Sequence, residues 1–312
     1  MSAFPSANDI VIAMMNQNCY KLTVLVGGNP IRKEKGQGIN SYAGGYASVF
    51  PFNKIDGVKI AVRCWSQDIG DPKKRMTTIR SFLSTLSSSY FIDFVYHENA
   101  LFIKDKLQPV LIMEWVDEPT LKEYLNSHKN ESAILKVADN FKMMVHYFHQ
   151  KNIAHGDLSH GNIKVRADGS LLVVDYDSMY VQGLDNMPDV IKGIPGYQHP
   201  ARHKNNILNP KLDYFSELII YLSLLVYAEN PSMLDTYYGT EDLLFSKQDY
   251  ESPDTSSLFQ QLKKSSNQRI VKLTEKLINY CVNYNDITHL RPLEDLLDEE
   301  FDGIAISIIS KF

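Results

Sequence analysis

Apolar positions alternate in the front of the chain and recur at helical spacing behind it. Residues 1–20 predict a short helix, with Ser6 or Asn8 as its cap ahead of Ile10, Ile12 and Met14. Residues 21–40 are mixed, and the charged stretch 32–35 reads as a solvated turn. From 39 to 62 the pattern is that of strands. The apolar runs are Tyr46-Ala-Ser-Val-Phe50 and Lys59-Ile-Ala-Val62, and Asp56-Gly57 is a hairpin turn signal. Pro72 suits the first turn of a helix on which Met76, Ile79, Leu83 and Leu86 fall at helical spacing. Further strands are expected at 90–96, 100–103 and 110–115. Residues 120–126, 133–150 and most of 210–298 read as helix. A β-rich front and a helical back predict an α+β chain with a boundary near Asp117. The N-lobe would be 1–116, including an N-terminal extension 1–40, and the C-lobe 117–312.

Length supports this division, because 312 residues exceed what one hydrophobic core of ~250–300 residues usually spans. A net charge of -5 argues against a general nucleic-acid binder. Cys19, Cys64 and Cys281 stand far apart with no CxxC spacing, which suits free thiols in a reducing compartment. The start of the chain lacks the basic and long apolar regions of a signal peptide. The apolar stretch 218–228 is too short to span a bilayer and suits a buried helix. A cytoplasmic protein without a membrane or nucleic-acid partner is expected.

The chemistry concentrates in His155-Gly-Asp-Leu-Ser-His-Gly-Asn162, followed by Asp175 within Leu171-Leu-Val-Val-Asp-Tyr-Asp177. Ala167-Asp-Gly169 reads as the turn of a hairpin, with Asp175 ending its second strand. Phosphoryl transfer needs one carboxylate to orient an incoming hydroxyl, and an amide and a carboxylate oxygen to hold magnesium against phosphates. Asn beside Asp adds a ligand oxygen without adding charge near phosphate. A polar hairpin holding these residues by chance is the plain alternative; three residues in order and spacing weigh against it. His149 and His160 lie near the loop without zinc spacing and read as hydrogen-bonded structural residues.

The segment resembles the catalytic loop and metal motif of protein kinases, H-R-D-x-x-x-x-N followed by D-F-G, with Gly156 for Arg, Tyr176 for Phe and Asp177 for Gly. His-Gly-Asp is also similar to small-molecule kinases of the aminoglycoside phosphotransferase type. Leu111-Ile-Met-Glu-Trp-Val116 resembles the protein-kinase hinge, Gly196-Tyr-Gln-His-Pro-Ala201 the end of the activation segment, Asp213 the aspartate that braces the catalytic loop, and Leu290-Arg-Pro-Leu-Glu-Asp-Leu-Leu297 the closing helix. In this order they favour the protein kinase. The resemblance implies a bilobal protein-kinase-like fold using ATP and Mg2+ to phosphorylate a protein Ser/Thr hydroxyl, in an atypical, bacterial type of kinase. Asp157 would orient the acceptor, and Asn162 and Asp175 would hold Mg2+. Arg63 and the Gly44–Gly45 backbone would steady phosphates. Val49, Ala61, Met113, Glu114, Val116 and Lys164 fall at nucleotide-binding positions, with Met113 at the gatekeeper place. The partner would be an unidentified protein substrate or regulator.

Departures shape the expectation. Only Gly44 of the three glycine-loop glycines is kept, and Arg63 replaces the expected lysine. No Asp or Glu occurs from 72 to 92 to pair with it; Asp68 and Asp71 are the nearest upstream acids. Lys164 stands where an apolar residue lies under adenine, so it snorkels, reaches phosphate or an acid, or alters the pocket. Gly156 removes the arginine that reads an activation-loop phosphate. From 179 to 200 there is no Ser or Thr, only Tyr180 and Tyr197. Activation by Ser/Thr phosphorylation of that loop is therefore not expected. Arg291 lacks its family glutamate, because Ala201 holds that place. The alternative is a pseudokinase serving as a binding or scaffolding module; a small-molecule kinase would need an acceptor pocket for which no insertion exists.

Overall fold

The computed structural model of the chain describes residues 4–34 and 38–297. Lys35 of the expected charged turn, and the parts of the expected lobes at 1–3 and 298–312, lie outside the described residues. Of those described, 4–87 (without 35–37) and 91–117 form one unit, and 88–90 with 118–297 form another.

The first unit is a curled antiparallel sheet with helices on it. Its strands are β1 (Asn29–Pro30), β2 (Tyr42–Ala43), β3 (Ala47–Asn53), β4 (Lys59–Trp65), β5 (Phe94–Ile103) and β6 (Lys106–Glu114). The order is β1-β3-β4-β6-β5, with β2 also pairing β3. Gly57 takes a positive φ of 82° in the β3–β4 hairpin, as Asp56-Gly57 predicts. The expected strands 90–96 and 100–103 are one strand, β5, which starts at Phe94 and carries a register shift between His97 and Leu101. Tyr90 instead belongs to the other unit, where its ring meets Tyr147 and Phe148. Aromatic propensity for strand is overridden there by side-chain packing.

Helix α1 (Ala7–Met14) starts in a capping box: Ser6 accepts from the Asp9 N–H and Asp9 accepts from the Ser6 N–H. Its buried face is Ile10, Ala13 and Met14, while Ile12 is 59 % exposed. These residues, with Tyr20, Leu25 and Ile39, share one core with Phe50, Phe52, Ile60, Val62 and Cys64 of the sheet. Residues of the extension also bond the sheet directly, Lys21 N–H donating to Ala100 O at 2.9 Å. Helix α2 (Pro72–Leu83) begins at Pro72 and buries Met76, Ile79 and Leu83 as expected, but stops before Leu86.

The second unit is mainly helical. It holds α3 (Leu121–Ser127), α4 (Glu131–Gln150), the hairpin β7 (Ile163–Val165) and β8 (Leu171–Val173), α5 (Tyr214–Glu229), α6 (Met233–Tyr237), α7 (Lys247–Glu251), α8 (Ser257–Leu262), α9 (Gln268–Asn283) and α10 (Leu293–Leu297). Residues 218–228 of α5 are buried on every side, which explains an apolar run without amphipathic spacing. Among the described residues no helix is long and apolar enough to cross a membrane. A β-rich unit followed by a mainly helical one is the expected α+β fold.

Candidate active site

Residues 155–162 form a loop held by buried polar groups. Asp213, just before α5, accepts the His155 N–H, and the Gly156 N–H at 2.8 Å. His155 is buried and donates Nε2–H to Val174 O at 2.9 Å. Tyr176, standing for the motif phenylalanine, is also buried and donates to Val173 O at 2.8 Å. Asn162 Nδ2 donates to Asp157 O at 2.8 Å, and Asn162 O accepts the Val174 N–H at 2.9 Å. The amide of Asn162 is thereby oriented, with Oδ1 as its remaining ligand atom. Asp175 does not end β8; it lies two residues beyond, with φ +70°. A non-glycine residue in this left-handed region is strained by roughly 1–3 kcal/mol, a cost commonly found at functional positions.

Burial pushes the Asp157 carboxyl up to about 7, and the negative charges of Asp175 and Asp213 add to this against the Ile194 N–H and Arg202. Its Oδ1 is buried with no hydrogen-bond partner among the described residues. A Cβ at Gly193, whose φ is +75°, would lie 2.6 Å from that oxygen, so glycine lets the backbone pass close to it. Among the described residues no three His, Cys, Asp or Glu are grouped to hold a metal by themselves. Asp175 and Asn162 Oδ1 instead suit a hard cation that takes its remaining oxygens from phosphate and water, the habit of magnesium.

The other sequence puzzles in this unit are answered by burial and by neighbouring polar groups. Lys164 on β7 is half-buried between buried Ile163 and Val165; burial draws its ammonium down, against the fields of Glu123 and Glu118. His149 donates to Glu217 at 2.8 Å and to Glu294 at 2.8 Å. Burial alone would push the imidazole down; the two carboxylates outweigh it and hold it up at about 10, a charged structural residue. His160 meets the hydroxyl of buried Tyr197, and burial lowers it to about 4. Arg291 pairs with Asp295 one turn on, at 3.1 Å. His199 takes over the anchoring of this segment, donating to Tyr280 O at 3.0 Å and accepting the Ala201 N–H at 3.0 Å.

In the first unit, strand register aligns the predicted nucleotide residues. Val49 is opposite Arg63, and Ala61 is opposite Met113. With a side-chain period of two, these four lie on one sheet face, opposite the face that α1 helps to cover. Gly44 and Gly45 form the β2–β3 turn, where Gly44 N–H donates to Ala47 O at 2.8 Å and Gln67 holds Gly45 O at 2.8 Å. Neither has a positive φ, and a Cβ on Gly45 would meet nothing within 4 Å. Around Glu114 and Val116 the chain is fixed by Lys59, whose ammonium lies 4.4 Å from the centre of the Trp115 ring and 2.8 Å from Asp117. Asp71 caps α2 through the Lys74 N–H and Asp68 accepts the Gly70 N–H, so both acids have local roles. Arg75 is buried on α2, donating to Ile69 O at 2.9 Å.

Two groups beside the loop of residues 155–162 were not foreseen. Arg202 is buried and reaches Gly156 O and Asp189. In sequence it is one of three consecutive basic residues, 202–204, and nothing there separates it from its solvated neighbours. Asp189 carries no motif either.

The sequence profile of the protein kinase domain matches residues 43–291. The probable serine/threonine-protein kinase mkcC of Dictyostelium discoideum is 27% identical over 188 residues, which cover 58% of this chain and 20% of that protein. A probable serine/threonine-protein kinase of Streptomyces coelicolor is 25% identical over 191 residues, 58% of this chain and 28% of that protein. The calcium/calmodulin-regulated receptor-like kinase 2 of Arabidopsis thaliana is 24% identical over 262 residues, 80% of this chain and 55% of that protein. The chain spans less than two thirds of each of these relatives. With most of its length matched, and with the braced loop of residues 155–162 in place, the chain belongs to the protein kinase domain family.

Proposed function

We propose that this chain transfers a phosphoryl group from ATP, with Mg2+, to a Ser or Thr hydroxyl of a protein, as an atypical kinase whose catalytic loop lacks the usual arginine. The observation that carries this reading is the loop itself: Asn162 is bonded to Asp157 O and to the N–H of Val174, the residue before Asp175, and Asp157 Oδ1 is buried with no hydrogen-bond partner among the described residues. A carboxyl near 7 is matched to accepting a proton at neutral pH. Asp157 orients the acceptor hydroxyl; Asn162 and Asp175 hold the cation. The family pattern assigns phosphate contact to Arg63 and the turn at Gly44–Gly45, base contact to Val49, Ala61, Met113, Glu114 and Val116 of the first unit, and a nucleotide-binding position to Lys164 of the second. Bound Mg2+ supplies charge neutralisation at the phosphates, so the residues of the chain have only to position and exclude water.

One observation favours the pseudokinase reading. Helix α2 buries Arg75 and carries no carboxylate, so the lysine–glutamate pair of the family has no counterpart on that helix. Melting with ATP and with ATP plus Mg2+ separates the two. A Mg2+-dependent rise in Tm that vanishes in Asp175→Asn, with phosphate incorporation into a generic protein acceptor falling about 10²–10⁴-fold in Asp157→Asn, supports the kinase. Absence of any shift would overturn it. The Asp157→Asn variant is also expected to melt above the wild type at pH 8, where an ionised, desolvated carboxylate beside Asp175 destabilises the fold.

A further inference from the structure

No side chain fits at position 156. Gly156 has a φ of +77°, and a Cβ there would lie 2.2 Å from Ser178 O. A guanidinium nonetheless reaches the same loop from the far end of the activation segment. Arg202, only 2 % exposed, donates Nη2–H to Gly156 O at 3.1 Å and to Asp189 Oδ1 at 3.0 Å. The Asp189 side chain is fully buried, and its Oδ2 accepts from Lys192 at 3.0 Å and from Asn205 Nδ2 at 2.7 Å. Lys192 also donates to Asn205 O, and the Asp189 N–H donates to Asn206 O at 3.0 Å. Asp189 thus gathers three side-chain donors, Arg202, Lys192 and Asn205, and itself stands in a segment, 179–200, that contains no Ser or Thr. The two tyrosines of that segment are already engaged, Tyr180 with Asp185 at 2.9 Å and Tyr197 with His160.

Stability alone does not account for this cluster. A buried ion pair contributes little net stability, and Arg202 leaves Nε and Nη1 without hydrogen-bond partners among the described residues. What it does secure is the carbonyl immediately before Asp157. We propose that Arg202 is a positioning residue for Asp157, clamping the loop at Gly156 O, and that Asp189 is its built-in anion, holding the segment ordered where a phosphate would otherwise be needed.

The kinetic part of the test rests on the proposed phosphoryl transfer; the exchange part does not. The double variant Asp189→Asn/Arg202→Gln removes both charges of the buried Arg202–Asp189 pair together, and its fold is checked by melting. Amide exchange across residues 155–162 is expected to quicken at least tenfold, with residues 218–228 unchanged. The kcat is expected to fall tenfold or more, with the KM for ATP within twofold, and Arg202→Lys alone to stay within threefold of wild type. Wild-type kcat is expected to survive phosphatase treatment. Unchanged exchange across the loop, an effect confined to KM, Arg202→Lys behaving like the double variant, or a phosphatase-sensitive wild type would each overturn the proposal. If the wild type transfers no more phosphate than Asp157→Asn, the kinase reading fails, and the exchange result alone upholds or overturns the clamp.

Discussion

The two units place their site residues by different physical means. In the sheet unit, position comes from backbone register: Val49 faces Arg63 and Ala61 faces Met113 because the ladder sets them opposite. In the helical unit, position comes from buried polar bonds, such as Asp213 to two loop N–H groups and His149 to two glutamates. A ladder places whatever side chain occurs at a position, so an arginine can stand in the lysine place without moving the strand. A polar bracket needs each partner, because an orphaned buried donor or acceptor costs about 1–3 kcal/mol. The departures from the family pattern in the sheet unit therefore disturb its geometry less than equal changes would in the loop.

The comparison can be broken by substitution. The largest expected loss of stability is His149→Ala, about 3–5 kcal/mol, since it leaves the buried Glu217 without its cation and Glu294 with His146 alone. The pH dependence carries the same signature. The ring is held up at about 10 against an ordinary 6.5, so its contribution is complete below pH 6.5 and is lost as pH rises through 10. Urea midpoints measured from pH 6 to 10 should fall in the wild type and lose that slope in the variant. Next comes Met14→Ala in α1, at about 2–5 kcal/mol, because its side chain is fully buried in the core shared with the sheet. A loss below 0.5 kcal/mol in denaturant titration would mean that the extension is merely laid on the sheet.

Gly156→Ala is expected to cost at least about 1–2 kcal/mol from the left-handed backbone alone, before any relief of the contact with Ser178 O. Restoring a side chain at this position therefore harms the loop; a neutral effect on Tm would show the loop to be more pliant than its brackets imply. The smallest effect belongs to Gly45→Ala, within about 0.5 kcal/mol, as the new methyl meets open space at an allowed φ. If ATP affinity nevertheless drops severalfold there, backbone approach of phosphate at this turn gains direct support.

Much of this was readable from the residues. The Asp56-Gly57 and Ala167-Asp-Gly169 hairpins, the cap at Ser6, the α2 face and the buried α5 all follow from turn chemistry and periodicity, which are local. The loop 155–162 was recognisable because its residues are contiguous. The span of β5 was misjudged because Tyr90 packs on Tyr147 and Phe148, residues more than fifty positions away. In α1 the apolar residues alone do not say which flank is buried, because periodicity within eight residues cannot select which side meets the sheet: Ile10 and Met14 are buried and Ile12 is exposed.

Residue order and spacing determined the α+β division and the family, and singled out Asp157, Asn162 and Asp175 as candidates, since each rests on neighbours within a few positions. Tertiary structure alone decided that Lys164 lies in the fields of Glu118 and Glu123, that His149 is a cation, and that Arg202 with Asp189 stands behind Gly156. Those outcomes depend on desolvation and on charges brought together from distant parts of the chain, and a one-dimensional pattern holds no record of either.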